Sequence, residues 1–483
     1  MTGAPILTVA EMAAADAAAV SAGQSIDGLM ARAGLAVADE ICERFRARPT
    51  AVLCGPGNNG GDGYVVARIL GDRGWPVWVE ALSSPSTDAA IHAASLWKGP
   101  VHALGQTDHV PELTVDALFG AGLGRPLEGV AARMARASEA RTSPVVAIDT
   151  PSGVFGDTGK PLGDAAFWAD LTITFHARKI AHVLTPGMAR CGELVVADIG
   201  IPPSTSALVE NGPDLWLADF PWPGAGSHKH ERGRMVVVSG EPWNTGAARL
   251  ASRAGLRIGA GVVTMASPPE SLSINAAHLE AVMLRPFETE TDLEQICANV
   301  DAVVIGPAAG VSESTLLNTL ALARTGAALV IDADAISVFR DDPEELFSAL
   351  DVDDVLTPHP GEFERLFPGL LAASPERITA ARRASARADA VVLLKGFDTV
   401  IAHPDGRAAV STNGSPWLAT AGSGDVLAGF IAGLIAQGMD SFEAACAAVW
   451  IHAEAGEAFG PGLTAEDLPG LAPSILRKLY AAR

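Results

Sequence analysis

Near the end of the chain, Ala421-Gly422-Ser423-Gly424-Asp425-Val426-Leu427-Ala428-Gly429 sets an acid among glycines at the start of an apolar, small-residue stretch. Such a turn suits phosphoryl chemistry. Glycine lets the backbone approach an anion, unpaired N–H groups at a helix start hold its charge, and Asp425 stands where it can take a proton from a hydroxyl. Glycine turns before helices are common and aspartate is a favoured helix cap, so the turn is weighed with its companions. These are Asp332-Ala333-Asp334, Thr357-Pro358-His359-Pro360-Gly361-Glu362 and Leu393-Leu394-Lys395-Gly396, all upstream in the same half.

The first half has its own constellation. A strand ending at Cys54 runs into Gly55-Pro56-Gly57-Asn58-Asn59-Gly60-Gly61-Asp62-Gly63 and then a helix expected over Tyr64–Leu70. Glycines between strand and helix make an anion-cradling turn, although the spacing is not that of the dinucleotide fingerprint. Asp116 opens a second glycine-rich loop running to Arg125, and Asp149 opens Asp149-Thr150-Pro151-Ser152-Gly153. In an open parallel sheet the ligand crevice lies beyond the carboxyl ends of the strands, so the three loops are expected to meet there. Oxygens of Asn59, Asp116 and Ser152 would suit a hard cation. Plainer readings hold elsewhere: His228-Lys229-His230 reads as solvated linker, and Gly429 with Gly433 as close packing of a buried helix. Asp332 and Asp334 read as a simple strand end before a direct metal role.

The elements that must position these residues alternate short β-branched runs with alanine-rich helical stretches. Strands are expected at 51–54, 77–81, 115–119, 145–149, 171–175 and 194–198, then at 235–239, 261–265, 302–305, 328–332, 355–357, 391–394 and 399–402. Strands this apolar are buried on both faces of parallel sheets, so both halves read as α/β. The chain of 483 residues divides in the proline-rich stretch between Ile201 and Lys229, giving domains 1–220 and 221–483.

Composition excludes several classes. With 48% apolar and 19% charged residues the chain is compact and globular. A formal charge of −22, with no basic cluster longer than Arg382-Arg383, argues against nucleic-acid partners. Five scattered cysteines with no paired motif read as reduced thiols of a cytoplasmic protein, and no signal peptide is expected. The longest apolar run, Val426 to Met439, is broken by Gln437 and reads as a core helix, so no membrane partner is expected.

Together GPGNNGGDG, VDALFGAGLGR, AIDTPSG and FHARKIAHVLTPG resemble the NAD(P)H-hydrate epimerases. KGFDTV, IDADA, LTPHPGEFERL and NGSPWLATAGSGDVLAG resemble the NAD(P)H-hydrate dehydratases of the ribokinase-like group. Their order is similar to that in bacterial bifunctional NAD(P)H-hydrate repair enzymes, across nearly the whole chain. The resemblance implies a Rossmann-like three-layer α/β sandwich followed by a ribokinase-like α/β domain. It implies an epimerase interconverting R and S hydrates (NADHX, NADPHX), and a dehydratase acting on the S form with ADP and releasing AMP and phosphate.

By the same resemblance, Asn58, Asn59, Gly60, Gly61, Asp62, and Gly120, Ala121, Gly122, Leu123, Gly124, Arg125 and Pro126 bind the hydrate in the first half. Asp149 contacts it near the reacting carbon, and its strand-end position suggests proton transfer. Asn59, Asp116 and Ser152 coordinate K+, and Lys179 falls on a motif as a phosphate contact. In the second half Asp425 is the base, while Ala247, Gly310 and His359 contact the hydrate. Lys395, Gly396, Phe397, Asp398, Thr399 and Gly424 take the adenine nucleotide, which brings Mg2+. Two departures stand out: Gly306-Pro307-Ala308-Ala309-Gly310 lacks the usual middle glycine, and Met30-Ala31-Arg32-Ala33-Gly34 stands for the family's Met-Glu-x-Ala-Gly, placing an arginine among acidic loops. The rival reading is a small-molecule kinase with a non-catalytic nucleotide-binding N-terminal domain. Oligomeric state is left open, a homo-oligomer being compatible.

Overall fold

The computed structural model describes residues 3–483. It divides into two compact units, Pro5–Ser206 and, with Gly3 and Ala4, Ala207–Arg483.

In the first unit, helices α1 (Val9–Ser21) and α2 (Ile26–Arg44) precede a seven-stranded sheet. Its strands are β1 (Thr50–Cys54), β2 (Val77–Ala81), β3 (Val101–Ala103), β4 (Leu113–Ala117), β5 (Val145–Ile148), β6 (Leu171–Phe175) and β7 (Glu193–Ala197). All neighbours are parallel, in the order β3-β2-β1-β4-β5-β6-β7. The order reverses between β1 and β4, the switch point at which a doubly wound sheet opens its crevice. Strands β1, β4, β5 and β6 are buried throughout, as their unbroken apolar runs require.

Helix α3 (Asn58–Asp72) follows β1 and starts six residues earlier than its composition suggests. Asn58–Asp62 are therefore its first turns and not an open loop. Packing overrides the poor helix propensity of Asn-Asn-Gly-Gly-Asp-Gly. A β-carbon at Gly60 would lie 1.8 Å from Gly55 O, one at Gly61 2.6 Å from Met30 Cε, and one at Gly63 2.6 Å from Ala117 Cβ. These glycines let the helix lie against β1, β4 and α2.

The second unit carries a ten-stranded sheet: β8 (Leu208–Glu210), β9 (Arg234–Val238), β10 (Val262–Ser267), β11 (Met283–Pro286), β12 (Ala302–Ile305), β13 (Ala328–Ile331), β14 (Val355–Leu356), β15 (Val391–Leu394), β16 (Val400–Ala402) and β17 (Ala408–Val410). The order is β8-β17-β16-β15-β14-β13-β12-β9-β10-β11, parallel except where β16 pairs with β15 and β17. It reverses between β9 and β12. The loops after those strands meet there, since a β-carbon at Gly240 would lie 2.0 Å from Ala308 O.

The expected boundary at 220 is corrected to Ser206/Ala207. The proline-rich stretch hides a strand and a helical turn: β8 pairs with β17, Asn211 Nδ2 donates to Ser411 Oγ and Cys446 O, and Trp216 is fully buried against Trp450. Strands β3, β8, β11 and β17 were not expected from the sequence; they are short, at sheet edges or alanine-rich, and give little alternation to read. Helix α4 (Thr245–Ile258) follows β9, α5 (Pro360–Leu366) follows β14, and α6 (Ser423–Ile435) and α7 (Ser441–Phe459) precede a last helix over Leu468–Ala482. Gly429 and Gly433 do serve close packing: β-carbons there would lie 2.2 Å from Ala251 O and 3.0 Å from Gly255 Cα, both on α4. That crossing fixes where the first turn of α6, and so Asp425, stands. Among the described residues no helix is long and apolar enough to cross a membrane.

Two candidate active sites

The crevice at the first switch point is a cavity of about 1150 Å³. Its walls come from α1, α2, the first turn of α3, the loop after β4, and strand ends beyond β5 and β6. Of the residues expected to touch substrate, Asn58, Asn59, Asp62, Gly120–Arg125 and Asp149 line it. Gly60, Gly61 and Pro126 do not.

Asp149 is held at every polar group. Its φ is +67°, a left-handed conformation that aspartate tolerates better than most residues. Its N–H donates to Ile173 O at 2.8 Å, and its carbonyl lies 2.8 Å from His182 Nε2. Its carboxylate accepts from Ala121 N at 2.9 Å and Thr174 Oγ1 at 3.0 Å, and pairs with Lys179 Nζ at 2.9 Å. Burial alone would raise its pKa; Lys179 and the Ala121 N–H reverse that and hold it well below the usual carboxylate range. Lys179 is thus a buried counter-ion, also bonded to Thr174 Oγ1 and Phe175 O, and it stands in the cavity wall.

His182 completes the mount. Its Nδ1 accepts from Lys179 N at 2.9 Å, which leaves the proton on Nε2 to donate to Asp149 O. Burial, with Lys179 adding, pushes its pKa down to about 3, so the ring is neutral. Two more acids face Asp149. Asp62 is raised well above its ordinary value by burial and then by Asp149 and Asp16, while Asp16 on α1 is raised mainly by burial. Asp62, which holds its proton more tightly than an ordinary carboxyl, thus stands beside Asp149, which gives its proton up more readily. Sequence reasoning assigned no role to His182, Thr174 or Asp16; only the motif containing His182 pointed to one of them.

Behind the cavity wall, Asp116 is fully buried and accepts from Ser152 N at 2.8 Å, Ser152 Oγ at 2.7 Å and Leu118 N at 3.2 Å. Burial raises its pKa to about 6 against those bonds. Ser152 Oγ accepts from Phe119 N at 2.9 Å, and a β-carbon at the next residue, Gly120, would lie 3.3 Å from Asn59 Oδ1 and 2.6 Å from Asp149 Oδ2. Only glycine fits there. Arg32 does not face the acids: its Nε donates to Ile199 O at 2.5 Å and it bonds Gln24, tying the α1–α2 turn to the loop after β7.

The second unit has a cavity of about 400 Å³ lined by Lys395, Gly396, Phe397, Thr399 and Gly424 among others. Asp398 is not in its wall; it is buried and pairs with Arg377 at 3.2 Å, and Arg377 also donates to Lys395 O at 2.8 Å, bracing the loop from beneath.

Beside this cavity runs a chain of charges. Lys395 Nζ pairs with Asp332 Oδ1 at 2.7 Å and lies 3.7 Å from Glu362 Oε2; a β-carbon at Gly424 would sit 3.6 Å from that ammonium. Asp425 is in the first turn of α6, where Gly422 at φ +87° turns the chain into the helix. Burial, then Asp332, raises the Asp425 pKa to about 7, with Lys395 acting against them. That suits a general base near neutrality.

His359 caps α5, its Nδ1 accepting from Gly361 N at 2.9 Å, and its Nε2 lies 3.3 Å from Glu362 Oε1. Half of this side chain is open to solvent. Glu362, not assigned a role from sequence, links His359 to Lys395; the His-Pro-Gly-Glu capping spacing was its signal. Gly310 donates its N–H to Asp334 Oδ2 at 2.9 Å, and Ala308, in place of the missing glycine, takes φ +54°. Asp334 also bears on Asp425, so Gly310, His359 and Asp425 belong to one network. Ala247 stands in the first turn of α4, whose Leu250 packs against Gly422. The His228-Lys229-His230 stretch is exposed, with His228 3.1 Å from Glu231.

A family model described as NAD(P)H-hydrate dehydratase matches residues 235–476, and one described as YjeF-related protein N-terminus matches 26–181. The chain is 34% identical to the bifunctional NAD(P)H-hydrate repair enzyme of Salinibacter ruber, covering 99% of this chain and 97% of that protein. It is 36% identical to that of Moorella thermoacetica, over 93% and 92%. A solved ribokinase-like superfamily protein from Enterococcus faecalis is similar to the second unit, with TM-score 0.51, 24% identity, and coverage of 58% of this chain and 98% of that one. That likeness concerns the fold alone.

Proposed function

Because the chain belongs to the family of bifunctional NAD(P)H-hydrate repair enzymes, we propose that its first unit epimerises hydrated NADH and NADPH and its second dehydrates the S form with ADP. The observation that carries the reading is the Asp425 carboxyl, tuned to about 7 at a helix start beside Lys395.

Hydroxide is a poor leaving group, so dehydration gains from phosphorylating the hydroxyl first. Asp425 takes the hydroxyl proton as its oxygen attacks the terminal phosphorus of ADP, and AMP departs. Lys395 and the N–H groups at the start of α6 hold the charge on the moving phosphoryl group. Phosphate then leaves with help from the ring nitrogen lone pair, and loss of the neighbouring carbon's proton restores the double bond. Lys395, Gly396, Phe397, Thr399 and Gly424 hold the nucleotide, with Asp398 and Arg377 behind them. His359, Gly310 and Ala247 position the hydrate. Among the described residues no three acidic, histidine or cysteine side chains gather into a metal cage, which fits a Mg2+ carried in on phosphates. Bound there it would offset phosphate charge.

In the first unit, water added to an enamine puts the hydroxyl on the carbon beside the ring nitrogen. Asp62, whose hold on its proton burial strengthens, gives that proton to the hydroxyl so that it leaves as water; ionised Asp149 stabilises the cation left behind, and water returning to the opposite face gives the proton back. Asn58 and the Gly120–Arg125 loop orient the substrate. For K+, the residues fit: Asp116 is a buried carboxyl, and Asn59 has a buried amide end, Nδ2, without a partner among the described residues, whose assignment as nitrogen or oxygen is interchangeable. The ion would neutralise Asp116 and order the loop between Ser152 and Asn59. Five free thiols fit a reducing compartment, and we place the enzyme in the cytoplasm.

The test is product identity. Mixed R and S hydrate with ADP, Mg2+ and K+ should give reduced cofactor, AMP and phosphate in equal amounts; accumulation of a stable phosphorylated substrate would favour a kinase instead.

A further inference from the structure

One titratable side chain in the wall of the C-terminal cavity has no part in the chemistry above. His452 lies within α7, is 6% exposed, and lines the cavity with Val449 and Ala453 from the same helix face. Its ring is fixed. Phe430 meets it edge-on with centroids 6.3 Å apart, and it hydrogen-bonds the backbone of Ser423, in the first turn of α6. Ser423 N–H is directed to Thr420 O at 3.4 Å, so the carbonyl takes the imidazole proton. Nε2 is the ring nitrogen left over, buried and without a partner among the described residues. With the proton on Nδ1, Nε2 presents a lone pair and can only accept. Burial, with Lys395 adding, lowers the ring's pKa to about 4, so the ring does not become a donor near neutrality.

His452 shares the cavity wall with the apolar Leu418, Leu427, Val449 and Ala453, and the same wall carries Lys395, Thr399, Ser411 and Gly424. An apolar slot with one buried acceptor suits a flat base carrying one donor at its edge. The adenine ring of a nucleotide has a single N–H donor group, its 6-amino group. We propose that His452 Nε2 accepts a hydrogen bond from that amino group and makes the dehydratase site selective for adenine over 6-oxopurine nucleotides. The proposal rests on the reading of this cavity as the nucleotide site.

Equilibrium binding of ADP, inosine diphosphate and 2′-deoxy-ADP to the full chain, with Mg2+, tests it. The wild-type protein should bind ADP roughly 10–100-fold more tightly than inosine diphosphate, whose 6-oxo group sets acceptor against acceptor. His452→Phe, which keeps the ring's bulk, should bring the two within a few-fold by weakening ADP, and should leave the ratio of ADP to 2′-deoxy-ADP unchanged. The wild-type comparison needs no substitution and is independent of how well the variant folds. Equal wild-type affinity for the two diphosphates overturns the proposal, as does a His452→Phe protein that keeps its adenine preference. Loss of the deoxy penalty in that variant also overturns it, assigning the acceptor to the ribose. If wild-type protein binds none of the three, the nucleotide reading of the cavity itself falls.

Discussion

Lys179 Nζ stands 2.9 Å from Asp149 Oδ1, and this buried pair is the electrostatic centre of the first cavity. Lys179 keeps Asp149 ionised although burial pushes the other way. Removing one partner of a buried pair leaves an uncompensated charge, a cost of about 3–5 kcal/mol. Lys179→Met should therefore destabilise the first unit and lower epimerisation by roughly 10²-fold or more at neutral pH, with the residual rate recovering as pH rises to ionise Asp149. Dehydration of pure S hydrate should stay at the wild-type rate. A wild-type epimerisation profile in the variant would remove the pair from the mechanism.

Asp425 has a pH signature. With its pKa raised to about 7 by burial and Asp332, the carboxyl is protonated below that value and cannot serve as base. Dehydratase kcat/KM should climb about tenfold per pH unit on the acid side and level above neutrality. Asp425→Asn, similar in size, should lose roughly 10²–10⁴-fold in turnover and lose the acid limb, with nucleotide affinity little changed. Parallel loss of ADP binding would mark Asp425 as a structural cap.

Potassium and protons should compete at Asp116. Its pKa, raised to about 6 by burial, means that lowering pH through that value protonates the proposed ligand. The K+ concentration giving half-maximal epimerisation should rise as pH falls from 7 to about 5, roughly tenfold per unit below the pKa. Asp116→Ala should abolish the K+ response and spare dehydration. A K+ requirement independent of pH and of Asp116 would place the ion elsewhere.

Much of this was legible in the sequence because each site sits at strand ends, where unbroken apolar runs stop at glycines and acids. Asp149, Asp116 and Lys395 could be found that way, and Asp425 from the glycine turn that opens an apolar helix. Counter-ions could not. Lys179 looks like any motif lysine until β6 and the turn after β5 bring it to Asp149, and Glu362 becomes a link to Lys395 only through the pairing of β14 with β15. The first turn of α3 was misread because local propensity opposes a helix that packing demands. The domain boundary was misplaced for a related reason: prolines around β8 signal a linker, while Trp216 and Asn211 satisfy partners some 200 residues further on, with no local trace.

That boundary is testable. A fragment beginning at Ala207 keeps β8 and Trp216, whereas one beginning at Pro221 exposes the surfaces they cover. Burying a tryptophan of this kind is worth about 3–5 kcal/mol, so the longer fragment should be the more stable by at least that much and should dehydrate S hydrate alone. Equal denaturant midpoints for the two would return the boundary to the proline stretch.

The division of labour between the two sites is tested most directly by complementation. Mixed R and S hydrate is supplied with ADP, Mg2+ and K+, and recovery of reduced cofactor is followed by its near-ultraviolet absorbance. Asp149→Asn should convert the S share quickly and then slow to the uncatalysed rate of epimerisation, and Asp425→Asn should recover almost nothing. Mixed together, the two variants should restore full conversion, because each contributes the site the other lacks. Failure of the mixture when each variant is folded, or full conversion by Asp425→Asn alone, would contradict two separate sites on one chain.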